Sequence, residues 1–102
     1  MSTSLTVDTA RQDTGELTVI ASGEVDMSNV ATFQQTLTAA AEATTGALTV
    51  DLSRVEYVDS AGINLLFRLA DRISSVIAHP LLMTTFTVSG LTELVPVVPA
   101  DS

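Results

Sequence analysis

The chain of 102 residues has no cysteine, no lysine and a single histidine. Without cysteine there is neither a disulfide framework nor a zinc–cysteine scaffold, and with one histidine a transition-metal site is not expected. Positive charge is confined to four arginines, set against twelve acidic side chains, for a net charge of −8. A surface this negative repels phosphate backbones and anionic lipid, which argues against direct nucleic-acid binding. Long apolar runs are also missing: Arg68 interrupts 63–70, and His79-Pro80 splits 76–83, well short of the roughly 20 residues of a membrane span. The first four residues show no basic region followed by an apolar stretch, so no secretory signal is expected and a cytoplasmic protein is the default.

The enzymatic inventory is equally thin. His79 sits beside Pro80 in an apolar stretch, away from any evident nucleophile, whereas a catalytic triad needs nucleophile, base and orienting group in contact. Ser60 precedes Gly62, but position 58 is valine, so the Gly-x-Ser-x-Gly elbow is absent. The five glycines (15, 23, 46, 62 and 90) are isolated, and no glycine-rich loop is available to cradle a nucleotide. Neither independent catalysis nor a cofactor is expected.

What the chain does have is apolar material, 46% of its residues with a mean hydropathy of +0.42, enough for the core of a single domain spanning 1–102. Leu5–Thr9 and Leu17–Ala21 are short and rich in β-branched residues, as strands are, with Gly15 supplying the turn between them. Gly23 is expected to end the second strand. Val30, Phe33, Leu37 and Ala40 or Ala41 then fall on one face of a helix. Asp26 or Ser28 is placed to cap it, and Gly46 to close it in the left-handed conformation. Ala47–Leu52 reads as a central strand, Ser53–Val58 as a connection, and Ile63, Leu66, Phe67 and Ala70, with or without Ile73, as a second helical face. Ser74–His79 fits a strand or a continuation of that helix, with a boundary before Pro80. Leu81–Ser89 is spaced like a short helix, although Thr84, Thr85, Thr87 and Val88 lower its propensity. The alternation predicts an α/β fold: a small mixed β-sheet with helices packed on one face.

Two corners carry candidate chemistry. Asp59-Ser60-Ala61-Gly62 stands at the start of the second helix, where a serine can act as a plain cap or accept added negative charge. Gly23-Glu24-Val25-Asp26 stands at the other strand-to-helix corner. Strand-to-helix corners of open α/β sheets collect on one edge, which predicts Asp26 close to an exposed Asp59 and Ser60.

Taken together and in this order, Gly23–Asp26 and Leu48–Leu69 resemble the STAS family, which comprises anti-sigma factor antagonists and the cytoplasmic domains of sulphate transporters. The resemblance runs from about Leu5 to Val98 and implies a STAS-like sheet with helices on one face. It further implies an anti-anti-sigma factor that binds an anti-sigma factor of the serine-protein kinase type and is released when Ser60, the residue after the motif aspartate, is phosphorylated. The partner-contact residues carried over are Asp26, Asp59, Ser60, Ala61 and Gly62; a second serine common in the motif is Ala61 here. The implied protein regulates transcription indirectly, as a monomer or weak homodimer. A STAS adaptor or ligand-sensing subunit of a transport or signalling complex, never phosphorylated, is the alternative. The chain departs from the family after Arg72, where the interval from Ser60 to Pro80 is several residues short and arginines are missing from 81–90. The C-terminal third is therefore shortened: either the second helix ends near Asp71 with 73–78 as the strand, or that strand is lost. Apolar residues there are then compressed or exposed, and an exposed patch favours self-association.

Overall fold

The structure, a computed structural model, describes residues 4–100; the first three and last two residues lie outside it. Strands β1 (Leu5–Arg11) and β2 (Leu17–Val25) form the expected antiparallel hairpin, in which Gly15 takes φ 91°. Helix α1 (Val30–Ala43) leads to β3 (Leu48–Val58), and α2 (Ser60–Arg68) leads through a 3-10 turn at Ala70–Arg72 to β4 (Ser75–Ala78). Helix α3 (Pro80–Ser89) and a second 3-10 turn precede the short edge strand β5 (Val97–Pro99). The five strands are ordered β1-β2-β3-β4-β5, and every pairing after the hairpin is parallel.

Alternation along the strands explains the one-sided core. Leu17, Val19 and Ala21 of β2, Leu48, Val50 and Leu52 of β3, and Val76 and Ala78 of β4 are buried, as are Phe33 and Leu37 of α1, Leu65 and Leu66 of α2, and Leu82 and Phe86 of α3. The intervening strand residues, such as Thr18, Thr49 and Ser75, are half-buried. This is the predicted mixed sheet with helices on one face. No described helix is long and apolar enough to cross a membrane.

Several local expectations need correction. Gly23 does not end β2: it sits inside the strand with φ 113°, and the strand runs on to Val25. An added Cβ there would collide with the Ser4 carbonyl oxygen, which accepts the Glu24 amide, so only glycine fits this close approach. Ser53–Val58 is not a connection but the second half of β3, paired with Ser22–Val25 of β2. Strand β4 stops at Ala78, opposite Leu52, so that half of β3 pairs with β4 nowhere, and Glu56 and Tyr57 are exposed in succession. That breaks the alternation by which strands are read.

Neither Asp26 nor Ser28 caps α1; the residue at its N-cap is Asn29, and its side chain accepts from the Asp26 amide instead. Gly46 does not take the left-handed conformation, and α1 ends in extended backbone at Thr44, whose hydroxyl donates to the Gly15 carbonyl and accepts the Gly46 amide.

The C-terminal third keeps its strand. Helix α2 ends at Arg68, one 3-10 turn follows at Ala70–Arg72, and Ile73 is buried just before β4. Leu81–Ser89 is helical despite its threonines because both ends are fixed. Pro80 occupies the first turn, His79 Nδ1 accepts the Leu81 amide at 3.0 Å, and Gly90 closes the helix at φ 91°. Burial of Leu82 and Phe86 then overrides weak propensity.

Candidate functional site at the carboxyl edge of the sheet

Strands β2 and β3 run parallel and end in register, with Val25 opposite Val58. The next residue of each chain segment is an aspartate, so Asp26 and Asp59 leave the same edge side by side. The Asp59 amide donates to the Val25 carbonyl at 3.0 Å, which locks the two exits together.

Asp59 organises the corner. Its Oδ1 accepts the amides of Ala61 and Gly62 at 2.9 and 3.2 Å, capping α2. Its Oδ2 accepts the amide of Met27 at 3.2 Å and so ties the β2–α1 turn to the start of α2. This use of both oxygens leaves Asp59 half-buried rather than exposed, a correction to the sequence reading. It also removes Ser60 from the capping role: Ser60 is the first residue of α2, exposed, and no hydrogen bond within the described residues engages its hydroxyl.

Gly62 is what lets α2 start so close to the sheet. It is buried, and an added Cβ would stand 2.6 Å from Val58 Cγ1 and 2.9 Å from Val25 Cγ1. Ala61 is half-buried beside it and, with Val30, Asn64, Phe67 and Arg68, lines a shallow groove between α1 and α2.

In the adjoining turn, Asp26 Oδ1 accepts both the amide and the hydroxyl of Ser28. Asn29 clamps the turn from the other side, its Nδ2 donating to the Glu24 carbonyl at 2.9 Å. The turn thereby presents Met27, whose side chain is 81% exposed. Sequence reasoning missed Met27 and Asn29; the one available signal was an isolated methionine in a polar turn. The structure thus brings Asp26, Asp59, Ser60, Ala61 and Gly62 to one edge and adds Met27 to them.

Chemically, the edge offers a free hydroxyl and two carboxylates. No histidine stands among these residues; His79 caps α3 through Nδ1. Among the described residues no group of three or more potential ligands is placed to hold a metal ion. A larger groove of about 510 Å³ lies elsewhere, between β1 and α1, where Arg11 is accompanied by threonines, alanines, Gln35 and Leu17 rather than by an acid–base pair.

The family model described as "Mlab, STAS domain" matches residues 8–96, and the chain belongs to the STAS domain family. Among solved structures, an anti-sigma factor antagonist from Mycobacterium paratuberculosis is similar at TM-score 0.86 and 28% identity, over 95% of this chain and 87% of that one. The anti-sigma factor antagonist SpoIIAA in its unphosphorylated form shares the fold at TM-score 0.74 and 15% identity, over 95% of this chain and 90% of that one. A STAS-domain antagonist from Rhodobacter sphaeroides shares it at TM-score 0.57 and 16% identity, over 67% and 73% of the respective chains. No curated protein matches at a significant level.

Proposed function

We propose that this protein is an anti-sigma factor antagonist, a non-enzymatic binding module that docks on an anti-sigma factor of the serine-protein kinase type and is released by phosphorylation of Ser60. Both proteins would act in the cytoplasm, and the effect on transcription would be indirect. The observation that carries this reading is the disposition of Ser60. Its hydroxyl is exposed at the first turn of α2 and engaged by no partner within the described residues, while the neighbouring Asp59 performs the capping that serine could otherwise have done. Such a hydroxyl is free to attack the γ-phosphorus of ATP held by a partner, giving a phosphoserine and ADP and losing its proton to a base of the partner.

The same geometry makes the modification a strong signal. A helix N-terminus ordinarily welcomes an anion, but here the amides of Ala61 and Gly62 are already taken by Asp59. A phosphoryl group on Ser60 adds about −1.5 to −2 charges beside that carboxylate, where the Ala61 and Gly62 amides are not fresh donors for it. A partner surface fitted to the neutral hydroxyl must then accommodate like charges in contact, which costs on the order of several kcal/mol.

The test is calorimetric titration of wild type, Ser60→Ala and Ser60→Asp against purified kinase-type anti-sigma factors of the same genome. Binding by the first two with at least tenfold weaker binding by Ser60→Asp supports the proposal. Equal affinity of all three removes the switch and favours an adaptor that is never phosphorylated.

A further inference from the structure

The two margins of the sheet differ. Strand β5 is three residues long and ends in proline, as blunted edges do. Strand β1 is seven residues long, has neither proline nor bulge, and pairs only with β2. Two hydrogen bonds fix which of its groups are free. The Glu24 amide donates to the Ser4 carbonyl at one end, and the Gln12 amide to the Glu16 carbonyl at the other. Hydrogen-bonded positions alternate along an antiparallel pair. Thr6, Asp8 and Ala10 therefore face β2, while Leu5, Val7, Thr9 and Arg11 turn their amides and carbonyls to the open edge. The side chains of Val7, Thr9 and Arg11 lie on the helix-covered face, where their partners Ala21, Val19 and Leu17 are buried. Beside that edge the groove of about 510 Å³ runs along α1, lined by Leu17, Gln35, Thr36 and Ala39 among others. At the hairpin end a smaller depression of about 230 Å³, lined by Thr14, Gly15, Thr44 and Thr45, shares Arg11 with it.

We propose that β1 is a docking edge for an extended, carboxylate-bearing segment of a partner protein, which adds as a sixth strand with its carboxylate on Arg11. Strand addition takes its affinity from main-chain hydrogen bonds and its selectivity from alternate side chains. An added strand lies about 4.8 Å beyond β1, where the small Ala39 and Ala43 leave room for its side chains along α1. Charge sets the occupant. Among the described residues Arg11 is the only charged residue lining either depression. It is exposed, and no hydrogen bond or ion pair within the described residues engages its guanidinium. A guanidinium pairs a carboxylate through two parallel N–H donors, whereas a lysine in the same place would meet like charge. The β1 strand of a second copy offers Leu5, Val7, Thr9 and Arg11 on that face, none of them acidic. Strand β2 separates this end, at Leu17, from the Ser60 edge, at Val25, by roughly 26 Å. The proposal therefore does not rest on the role of Ser60, and both surfaces can be occupied at once.

The probe is a phage-displayed library of random peptides as long as β1, selected on the full chain. Recovered sequences should share an aspartate or glutamate at one fixed position. Synthetic copies should bind with a Kd that Arg11→Gln raises at least tenfold. Thr9→Pro removes one outward amide and leaves the ladder to β2 intact, a substitution that edge strands accept. Its folding is verified by circular dichroism, and it should no longer bind the peptide. Amide hydrogen exchange with peptide bound should show Val7, Thr9 and Arg11 gaining protection that the free protein lacks. No recovered binder, recovered sequences without a shared acid, affinity unchanged by Arg11→Gln, binding by folded Thr9→Pro, or no gain of protection at Val7, Thr9 and Arg11 would each overturn the proposal. Protection of those amides that rises with protein concentration in the absence of peptide would assign the edge to a second copy and overturn it likewise.

Discussion

The Met27 amide donates to Oδ2 of Asp59 at 3.2 Å, joining two corners 32 positions apart in sequence. One carboxylate therefore both caps α2 and fixes the turn that presents the most exposed apolar side chain at the Ser60 edge. Asp59→Asn separates the two tasks, since an asparagine can keep its oxygen toward Ala61 and Gly62 but then turns an NH₂ group toward Met27. Amide hydrogen exchange should show Met27 losing protection in Asp59→Asn while the first turn of α2 keeps it. Asp59→Ala should lose both, with about 1 kcal/mol of stability. Unchanged exchange at Met27 in Asp59→Asn would show that the contact does not hold the turn.

Gly62 positions the whole edge. In Gly62→Ala the added methyl meets Val58 and Val25 at distances no packed core tolerates, and overpacking of this kind costs about 1–3 kcal/mol. For a domain of this size that corresponds to a fall in Tm of about 4–8 °C per kcal/mol. Thermal and urea unfolding measure it; a variant as stable as wild type would mean that α2 starts farther from the sheet than described.

How far the site could be read from sequence depends on whether a feature is local. The place of Asp59-Ser60-Ala61-Gly62 at a helix start was legible because the helical pattern that follows it is local. The use of Asp59 rather than Ser60 as the cap, and the close packing of Gly62 on Val25 and Val58, depend instead on the tertiary fit of α2 against the sheet. The nearness of Asp26 followed from general topology, since parallel strands deliver their exits to one edge. The Met27–Asp59 hydrogen bond was not legible: it depends on the register Val25 to Val58, which no local pattern encodes. The length of β3 was hidden for a related reason, because without β4 beside it Glu56 and Tyr57 are both exposed and the alternation fails. In α3 the apolar spacing fits a short helix while the β-branched run lowers its propensity, and the outcome was decided by Pro80, His79 and Gly90 at its ends together with burial of Phe86.

His79 is structural on this account. Its Nδ1 caps α3, so His79→Ala should destabilise the fold by about 1 kcal/mol, whereas His79→Asn, a good cap, should restore most of it. Equilibrium urea denaturation distinguishes them; equal loss in both variants would assign His79 a role other than capping.

Gly23 holds the far end of the hairpin. An L-residue there must adopt a left-handed backbone, at roughly 1–2 kcal/mol, and its Cβ collides with the Ser4 carbonyl. Gly23→Ala should therefore break the hydrogen bond from the Glu24 amide to Ser4 and raise exchange at Glu24, with little change at β4. Retained protection at Glu24 would contradict the close approach.

The central claim is that Ser60 is the switch. Wild type and Ser60→Ala, each bound to a purified kinase-type anti-sigma factor, are given ATP; phosphate is located by mass mapping while the bound fraction is followed by native mass spectrometry. The account predicts one phosphate, on Ser60, and release of wild type but not of Ser60→Ala. Phosphate on another residue, or equal release of both proteins, would contradict it.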